Sequence, residues 1–129
     1  MTIEGYGRRA LAQPEAVESS HMAHPDFQVR RKIFATIRSV AKGEGVVKLT
    51  PRQQFVKQDA EAFAAVPGGW GSKGWTLIRL GRVTARIVRP AMECAWRNAA
   101  PKRLIAQTDA ATYRSSGYAI VDLVIPRVE

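Results

Sequence analysis

The sequence has a single cysteine, Cys94, among its 129 residues. One thiol cannot form an internal disulfide, and it cannot supply the cysteine cage of a structural zinc site. Apolar runs are only a few residues long, so no segment is predicted to cross a membrane as a helix. The N-terminal segment MTIEGYGRRALAQPEA lacks the apolar stretch of a secretory signal. These absences predict a soluble cytoplasmic protein without membrane contact.

Acidic residues are also scarce, because 11 Asp and Glu stand against 20 Lys and Arg, which gives a net charge of +9. A positive excess of this size favours polyanionic partners, with nucleic acid first and anionic lipid or an acidic protein as alternatives. The charged fraction of 24% is ordinary for a folded protein and argues against disorder. The length fits a single domain with one hydrophobic core.

Short β-forming segments alternate with turn formers through much of the chain. The connections are too short for parallel crossovers, so the strands are predicted to be antiparallel. One helix is predicted over residues 7–12, and a second from Thr50 to about Ala60, where Thr50, Pro51 and Gln53 form a capping-box start. The sequence therefore predicts an α+β fold with an antiparallel β-sheet packed by helices. The predicted strands are Val17–Met22, Phe27–Val29, Lys32–Ser39, Gly45–Leu49 and Trp75–Leu80.

The clearest periodicity lies in residues 82–100, where an amphipathic helix is predicted. Its basic stripe, interrupted by Glu93, lies opposite its apolar face, and Pro90 interrupts the helix. The predicted apolar face consists of Val83, Ile87, Ala91, Cys94 and Ala95, and the stripe of Arg82, Arg86, Arg89 and Arg97.

The C-terminal region is predicted separately. Pro101 ends the helical segment, and residues 102–105 begin a last short turn. Residues 107–129 form a C-terminal tail in which AIVDLVI is a candidate strand.

Several segments, taken in order, resemble the MmcQ/YjbR family of bacterial proteins. They are LAQPEAVESSHMAHPDFQV, KIFATI, VVKLTPRQQ, GGWGSKGWTLIRL and AWRNAAPKRL. The resemblance covers roughly residues 7–106, and it implies a compact α+β domain of the YjbR type, related to the CyaY-like fold, over residues 1–106. It also implies a DNA-binding protein without a defined target sequence or catalytic mechanism. A CyaY-like fold raises iron handling as well, but the scattered acids offer no acidic ridge.

The chain departs from the family pattern at Arg30-Arg31, where relatives often carry glycine or a neutral residue, at Arg52 and at Pro90. The added arginines favour a polyanion. The helix stripe can neutralise phosphates, and a second patch beside the turn at residues 30–32 can flank a groove. Trp70, in a glycine-rich loop, is expected to be exposed and able to stack on a base, whereas Trp75 and Trp96 are expected in the core. The predicted nucleic-acid-binding residues are Arg82, Arg86, Arg89, Arg97, Lys102, Arg103, Arg30, Arg31, Lys32 and Trp70.

Other chemistry is disfavoured. His21 and His24 with Asp26 have no evident third metal ligand, and Cys94 on the predicted apolar face is interpreted as a buried, inert thiol. GGWGSKG lacks the phosphate-loop pattern. We therefore expect no enzyme, no metal and no cofactor.

The function predicted from the sequence is DNA binding, without catalysis, by a protein expected to be monomeric. The alternative is a protein-interaction or small-ligand-binding domain that uses the sheet face near Trp70 and the adjoining loop. The position of the arginine stripe separates the two: exposure beside a groove favours DNA, and burial in ion pairs favours the alternative.

Overall fold

A computed structural model describes residues 1–21, 24–53 and 59–116. The chain divides into two compact units, Met1–Ala99 and Ala100–Glu129. The first contains a six-stranded sheet of order β1-β2-β3-β4-β6-β5 in which every neighbouring pair is antiparallel, which confirms the predicted α+β class. The elements in chain order are α1 Ile3–Leu11, β1 Val17–His21, β2 His24–Val29, β3 Lys32–Ser39, β4 Glu44–Lys48, β5 Phe63–Ala65, α2 Gly69–Ser72, β6 Trp75–Arg79, a 3₁₀ turn Leu80–Arg82, α3 Ala85–Ala99 and α4 Lys102–Ser116.

Helix α1 begins earlier than the predicted residue 7 because Thr2 caps it. The Thr2 hydroxyl accepts a hydrogen bond from the Gly5 amide at 2.9 Å, and this satisfies one of the free amides of the first turn. Tyr6 and Ala10, four residues apart, form its buried side. The Tyr6 hydroxyl donates to the Val46 carbonyl at 3.0 Å, which fixes the helix against the sheet.

The strand pleat gives the sheet one covered face and one open face. Ala35 and Val47 pair across β3 and β4, are fully buried, and lie on the face that α1 and α3 cover. Thr36 pairs with Val46 in the same ladder, so their side chains point to the opposite face. We call this second side the open face.

Helix α3 corrects the predicted helix over 82–100 in its start and in its orientation. It begins at Ala85, so Arg82 lies in the 3₁₀ turn and Val83, although buried, precedes the helix. Ile87 is 41% exposed and Cys94 is half-buried, so neither anchors the helix. At 100° per residue the buried side is turned by about a quarter of a turn from the predicted one. It consists of Val88, Ala91, Met92, Ala95, Trp96 and Ala99.

The large side chains at helical spacing explain this orientation. Val88, Met92 and Trp96 follow one another at intervals of four, and together they bury more apolar area than Ile87 and Cys94 could. Trp96 also donates its indole N–H to the Pro14 carbonyl at 2.9 Å, so its polar atom is satisfied. Pro90 lies within the helix on its exposed side and removes only the bond to the Arg86 carbonyl.

Half of the predicted capping box at Thr50 is present, because the Gln53 side chain accepts from the Thr50 amide at 3.0 Å. The Gln53 amide donates to the Thr50 backbone carbonyl at 3.0 Å, as in a turn, and not to the Thr50 hydroxyl of a full capping box. Residues 54–58, where the body of that predicted helix falls, lie outside the described residues. Beyond them the Asp59 side chain accepts from the amides of Glu61 and Ala62, so the chain forms a turn before β5.

The second unit contains a longer helix than the sequence predicts. Only a short turn is predicted after Pro101, but α4 continues from Lys102 to Ser116, through Ala110 and Ala111, which favour helix. Residue 106, the predicted end of the family-like domain, lies within this helix. The candidate strand AIVDLVI lies outside the described residues. No helix in the part of the chain that the structure describes is long and apolar enough to cross a membrane.

Candidate functional site

The side of α3 that points away from the sheet carries most of the predicted arginine stripe. Arg86, Arg89 and Arg97 are all exposed there, and we call these residues the helix surface. Glu93 lies among them, and its Oε1 is 3.2 Å from the Arg89 Nε. Arg82 lies outside the helix, with its Nη1 at 3.8 Å from the Glu61 Oε2.

The ion pairs of Arg82 and Arg89 are weak. The side chains of Arg89 and Glu93 are 75% and 49% exposed, and an exposed pair of this kind contributes about 0–1 kcal/mol. A phosphate group can therefore replace the carboxylate. Arg86 makes no ion pair with any residue within 1–21, 24–53 or 59–116, so its guanidinium is available.

Helix α1 adds two arginines that the sequence reasoning missed. Arg8 and Arg9 are exposed in its last turn, and both line a cleft of about 480 Å³ that reaches Ala85 at the start of α3. The Met1 ammonium group also lies in this cleft and donates to the Leu80 carbonyl at 2.8 Å. The segment GRRAL was predicted to be helical, but the position of its arginines beside the start of α3 depends on how α1 packs in the fold. In the second unit, Lys102 and Arg103 are exposed in the first turn of α4.

The structure divides the predicted patch at residues 30–32. Arg30 makes a two-point contact with Glu15, at 2.6 Å from Nε to Oε1 and 3.1 Å from Nη2 to Oε2. The hydrogen bond from Arg30 lowers the pKa of the Glu15 carboxyl. Arg31 and Lys32 line a groove on the open face instead. Arg30 is not among the residues that line this groove, so the patch contributes Arg31 and Lys32 to it.

That groove, which we call the sheet groove, has a volume of about 570 Å³. Its floor consists of Ile33, Thr36 and Val46, and its cationic lining consists of Arg31, Lys32 and Lys48. Ile33 reaches the open face although Ala35 lies on the covered face, because the β2–β3 register shifts between these two residues. Trp70, Trp75 and Val66 complete the lining. Sequence reasoning missed Lys48 and Trp75, because their proximity depends on the β4–β6 register, which pairs them directly.

The two tryptophans of the groove differ in exposure. Trp70 is 62% exposed, as predicted. Trp75 was predicted to lie in the core, but it is half-buried and lines the groove. Their rings meet edge to face at 5.5 Å between centroids, and the Lys48 Nζ is 6.0 Å from the Trp75 centroid. Trp96 is 2% exposed and belongs to the core, as predicted. Most of the Trp70 surface is therefore open to a ligand.

Two glycines hold the loop that carries Trp70. A Cβ on Gly71 would lie 1.9 Å from the Val66 carbonyl oxygen, and one on Gly74 would lie 2.1 Å from the Leu49 carbonyl oxygen. Gly74 also has a φ of 107°, in the region that favours glycine. The glycine-rich segment thus brings α2 close to the sheet.

His21 and His24 pair directly across the β1–β2 connection, but among the described residues no three His, Cys, Asp or Glu side chains cluster as metal ligands. Cys94 is half-buried rather than buried, contrary to prediction, because it lies at the flank of α3. Burial and the neighbouring Glu93 raise the pKa of its thiol, against the smaller effect of Arg97.

Comparison with known families agrees with this architecture. The sequence profile of the YjbR family matches residues 11–98, about two thirds of the chain. The chain belongs to the YjbR family. The YjbR match extends from the end of α1 to Asn98 and includes all six strands and nearly all of α3. A search of curated proteins gives no match.

Asn98, the last residue of the YjbR match, is a structural residue that sequence reasoning did not single out. Its side-chain amide donates to the Lys48 carbonyl at 2.7 Å and to the Gln53 side chain at 2.8 Å. It therefore ties the end of α3 to the end of β4, the strand that supplies Val46 and Lys48 to the sheet groove.

Proposed function

We propose that this YjbR-family chain binds DNA, without catalysis, by contacting phosphates through the helix surface. The observation that carries the proposal is the exposed side of α3, where Arg86, Arg89 and Arg97 are interrupted only by Glu93. Arg8 and Arg9 extend this positive surface at the α1–α3 cleft. The resemblance to the MmcQ/YjbR family also implies DNA binding.

The mechanism is electrostatic. Each arginine that neutralises a phosphate releases condensed counterions, so affinity falls as salt rises. With about four to six phosphates engaged, the slope of log K against log salt is expected to be roughly −4 to −5. The contacts are to the DNA backbone, so weak sequence selectivity is expected.

The test measures fluorescence anisotropy of a labelled DNA duplex at several salt concentrations. The double variant Arg86→Glu/Arg89→Glu should bind more weakly at low salt, with a slope shallower by about 2. Its thermal stability should change little, because exposed charge substitutions usually stay within about 0.5 kcal/mol each.

The matched control is Lys42→Glu/Lys73→Glu, which makes the same change in net charge at two exposed lysines that belong neither to the helix surface nor to the sheet groove. It should retain most of the parent affinity. Equal losses of duplex affinity in both double variants would show that only net charge matters. Unchanged duplex affinity in Arg86→Glu/Arg89→Glu would overturn the proposal that DNA contacts the helix surface.

The sheet groove favours a second candidate function, the binding of a small ligand or a protein segment near Trp70. Absence of duplex binding even at low salt, where an electrostatic contribution is largest, would favour that function.

A further inference from the structure

We propose that the sheet groove is a binding site for single-stranded nucleic acid, with an unpaired base stacked on Trp70 and phosphates held by Arg31, Lys32 and Lys48. This site is on the open face, whereas the helix surface belongs to the helix layer on the other side of the sheet. The inference therefore does not rest on the proposed contact between α3 and duplex DNA.

The composition of the groove fits a nucleotide chain. A single strand presents flat apolar bases and a negative backbone, and its binding sites combine exposed aromatic rings with a positive groove. Here the floor is formed by Ile33, Thr36 and Val46, and Trp70 is 62% exposed beside it. Among the residues that the structure describes, the lining contains three cations and no carboxylate. An apolar peptide would use the floor but would leave Arg31, Lys32 and Lys48 without partners.

The concave surface continues past the groove. A second hollow of about 280 Å³ shares Ile33, Thr36 and Val46 with the sheet groove, so the two form one surface across β3 and β4. Arg38 lines this second hollow. Asp26, its acidic member, is only 3% exposed and accepts a hydrogen bond from the Gln28 side chain at 3.0 Å, so it presents little charge to a ligand. The length of this surface favours a single-stranded nucleic acid of several nucleotides over a single nucleotide as the ligand.

The backbone at the mouth of the groove supports the same conclusion. Arg30 and Arg31 form the β2–β3 turn with φ values of 49° and 70°, in the left-handed region that arginine rarely adopts. Asn-Gly would fit this turn without strain. Strained positions of this kind concentrate at functional sites, and here the strained residue Arg31 contributes a cation to the groove.

The experiment titrates the protein with a labelled oligothymidylate and, separately, with thymidine monophosphate. Trp70→Ala should weaken oligothymidylate binding by about 5- to 150-fold, the range found when a stacking aromatic is lost. Trp70→Phe keeps a ring and should lose less. Arg31→Asn should also weaken binding while raising the melting temperature, because asparagine tolerates the turn.

Two controls keep the test specific. Lys42→Gln removes an exposed cation outside the groove and should leave oligothymidylate affinity almost unchanged. Thermal melting of Trp70→Ala, whose altered side chain is exposed, checks that the protein remains folded. Parent-like binding by folded Trp70→Ala, or equal losses in Arg31→Asn and Lys42→Gln, would overturn the proposal. If thymidine monophosphate binds as tightly as the oligonucleotide, the groove is a site for a single nucleotide, and the proposal that it binds a single-stranded nucleic acid is overturned.

Discussion

Arg31 combines an unfavourable backbone conformation with a position on the sheet groove. Its φ of 70° places the Cβ close to the following carbonyl, a conformation that carries a penalty of about 1–2 kcal/mol for most residues. Asparagine populates this region more readily, since its side chain hydrogen-bonds locally. Arg31→Asn is therefore expected to stabilise the fold by about 1 kcal/mol, measured as the free energy of unfolding in urea.

The matched variant Arg31→Ala removes the same charge without relieving the backbone. It should leave the free energy of unfolding within about 0.5 kcal/mol of the parent value. If alanine stabilises as much as asparagine, the gain comes from the lost positive charge, and the turn is not the reason.

The Glu15–Arg30 pair makes stability depend on pH. The hydrogen bond from Arg30 lowers the pKa of Glu15 below the usual glutamate value of 4.5. A carboxyl whose pKa is lower in the folded state stabilises the fold above the unfolded pKa, and this stabilisation is lost as pH falls through the folded pKa. Glu15→Gln should therefore be less stable than the parent at neutral pH, and its stability should decline less steeply below about pH 4.5. The measurement is the melting temperature as a function of pH. Both side chains are about half exposed, so the change should be small. A decline as steep as that of the parent would place the acid sensitivity elsewhere.

At the scale of the element, α3 shows what a helical pattern can and cannot predict. The pattern predicted a helix that exposes its arginines, and α3 does expose Arg86 and Arg89. It did not predict which apolar side faces the sheet, because Ala91 and Ala95 fit both the predicted and the observed faces. The choice depends on where Trp96 finds a partner, and Pro14 is distant in the sequence.

Two substitutions test the observed orientation of α3. Met92 is fully buried and Ile87 is 41% exposed, although both are large apolar residues of one helix. Met92→Ala should lower the free energy of unfolding by about 2–5 kcal/mol, because it leaves a cavity. Ile87→Ala should lower it by less than about 1 kcal/mol, since solvent already reaches the side chain. Equal losses in urea unfolding would mean that the helix packs through the face predicted from the sequence.

At the scale of the whole molecule, the strands were predictable and the site was only partly so. Alternating β-formers between short turns predicted the antiparallel sheet, and β3 was predicted at its observed bounds. The short strand β5 was missed because FAA carries too little pattern. The sheet groove depends on strand register, which brings Lys48 opposite Trp75, and on the α2 loop that places Trp70 beside them. Local sequence contains neither relation.

The two basic surfaces of the first unit lie on opposite sides of the sheet, and this predicts that they respond to different forms of nucleic acid. In a duplex the bases are paired and stacked, so none is free to stack on Trp70, whereas the phosphates remain available to arginine. Trp70→Ala should therefore leave duplex affinity within about twofold of the parent, which is below about 0.5 kcal/mol.

Arg86→Glu/Arg89→Glu should show the reverse preference in the same anisotropy measurements. Its affinity for the duplex should fall. At moderate salt, where general electrostatic attraction is screened, it should lose less affinity for oligothymidylate than Trp70→Ala loses. The substituted residues are separated by the helix and the sheet, a thickness of ~10 Å or more, so the changes in unfolding free energy should add in the triple variant. If Trp70→Ala weakens duplex and single strand equally, the groove does not discriminate between them, and a base stacked on Trp70 is not the basis of its binding.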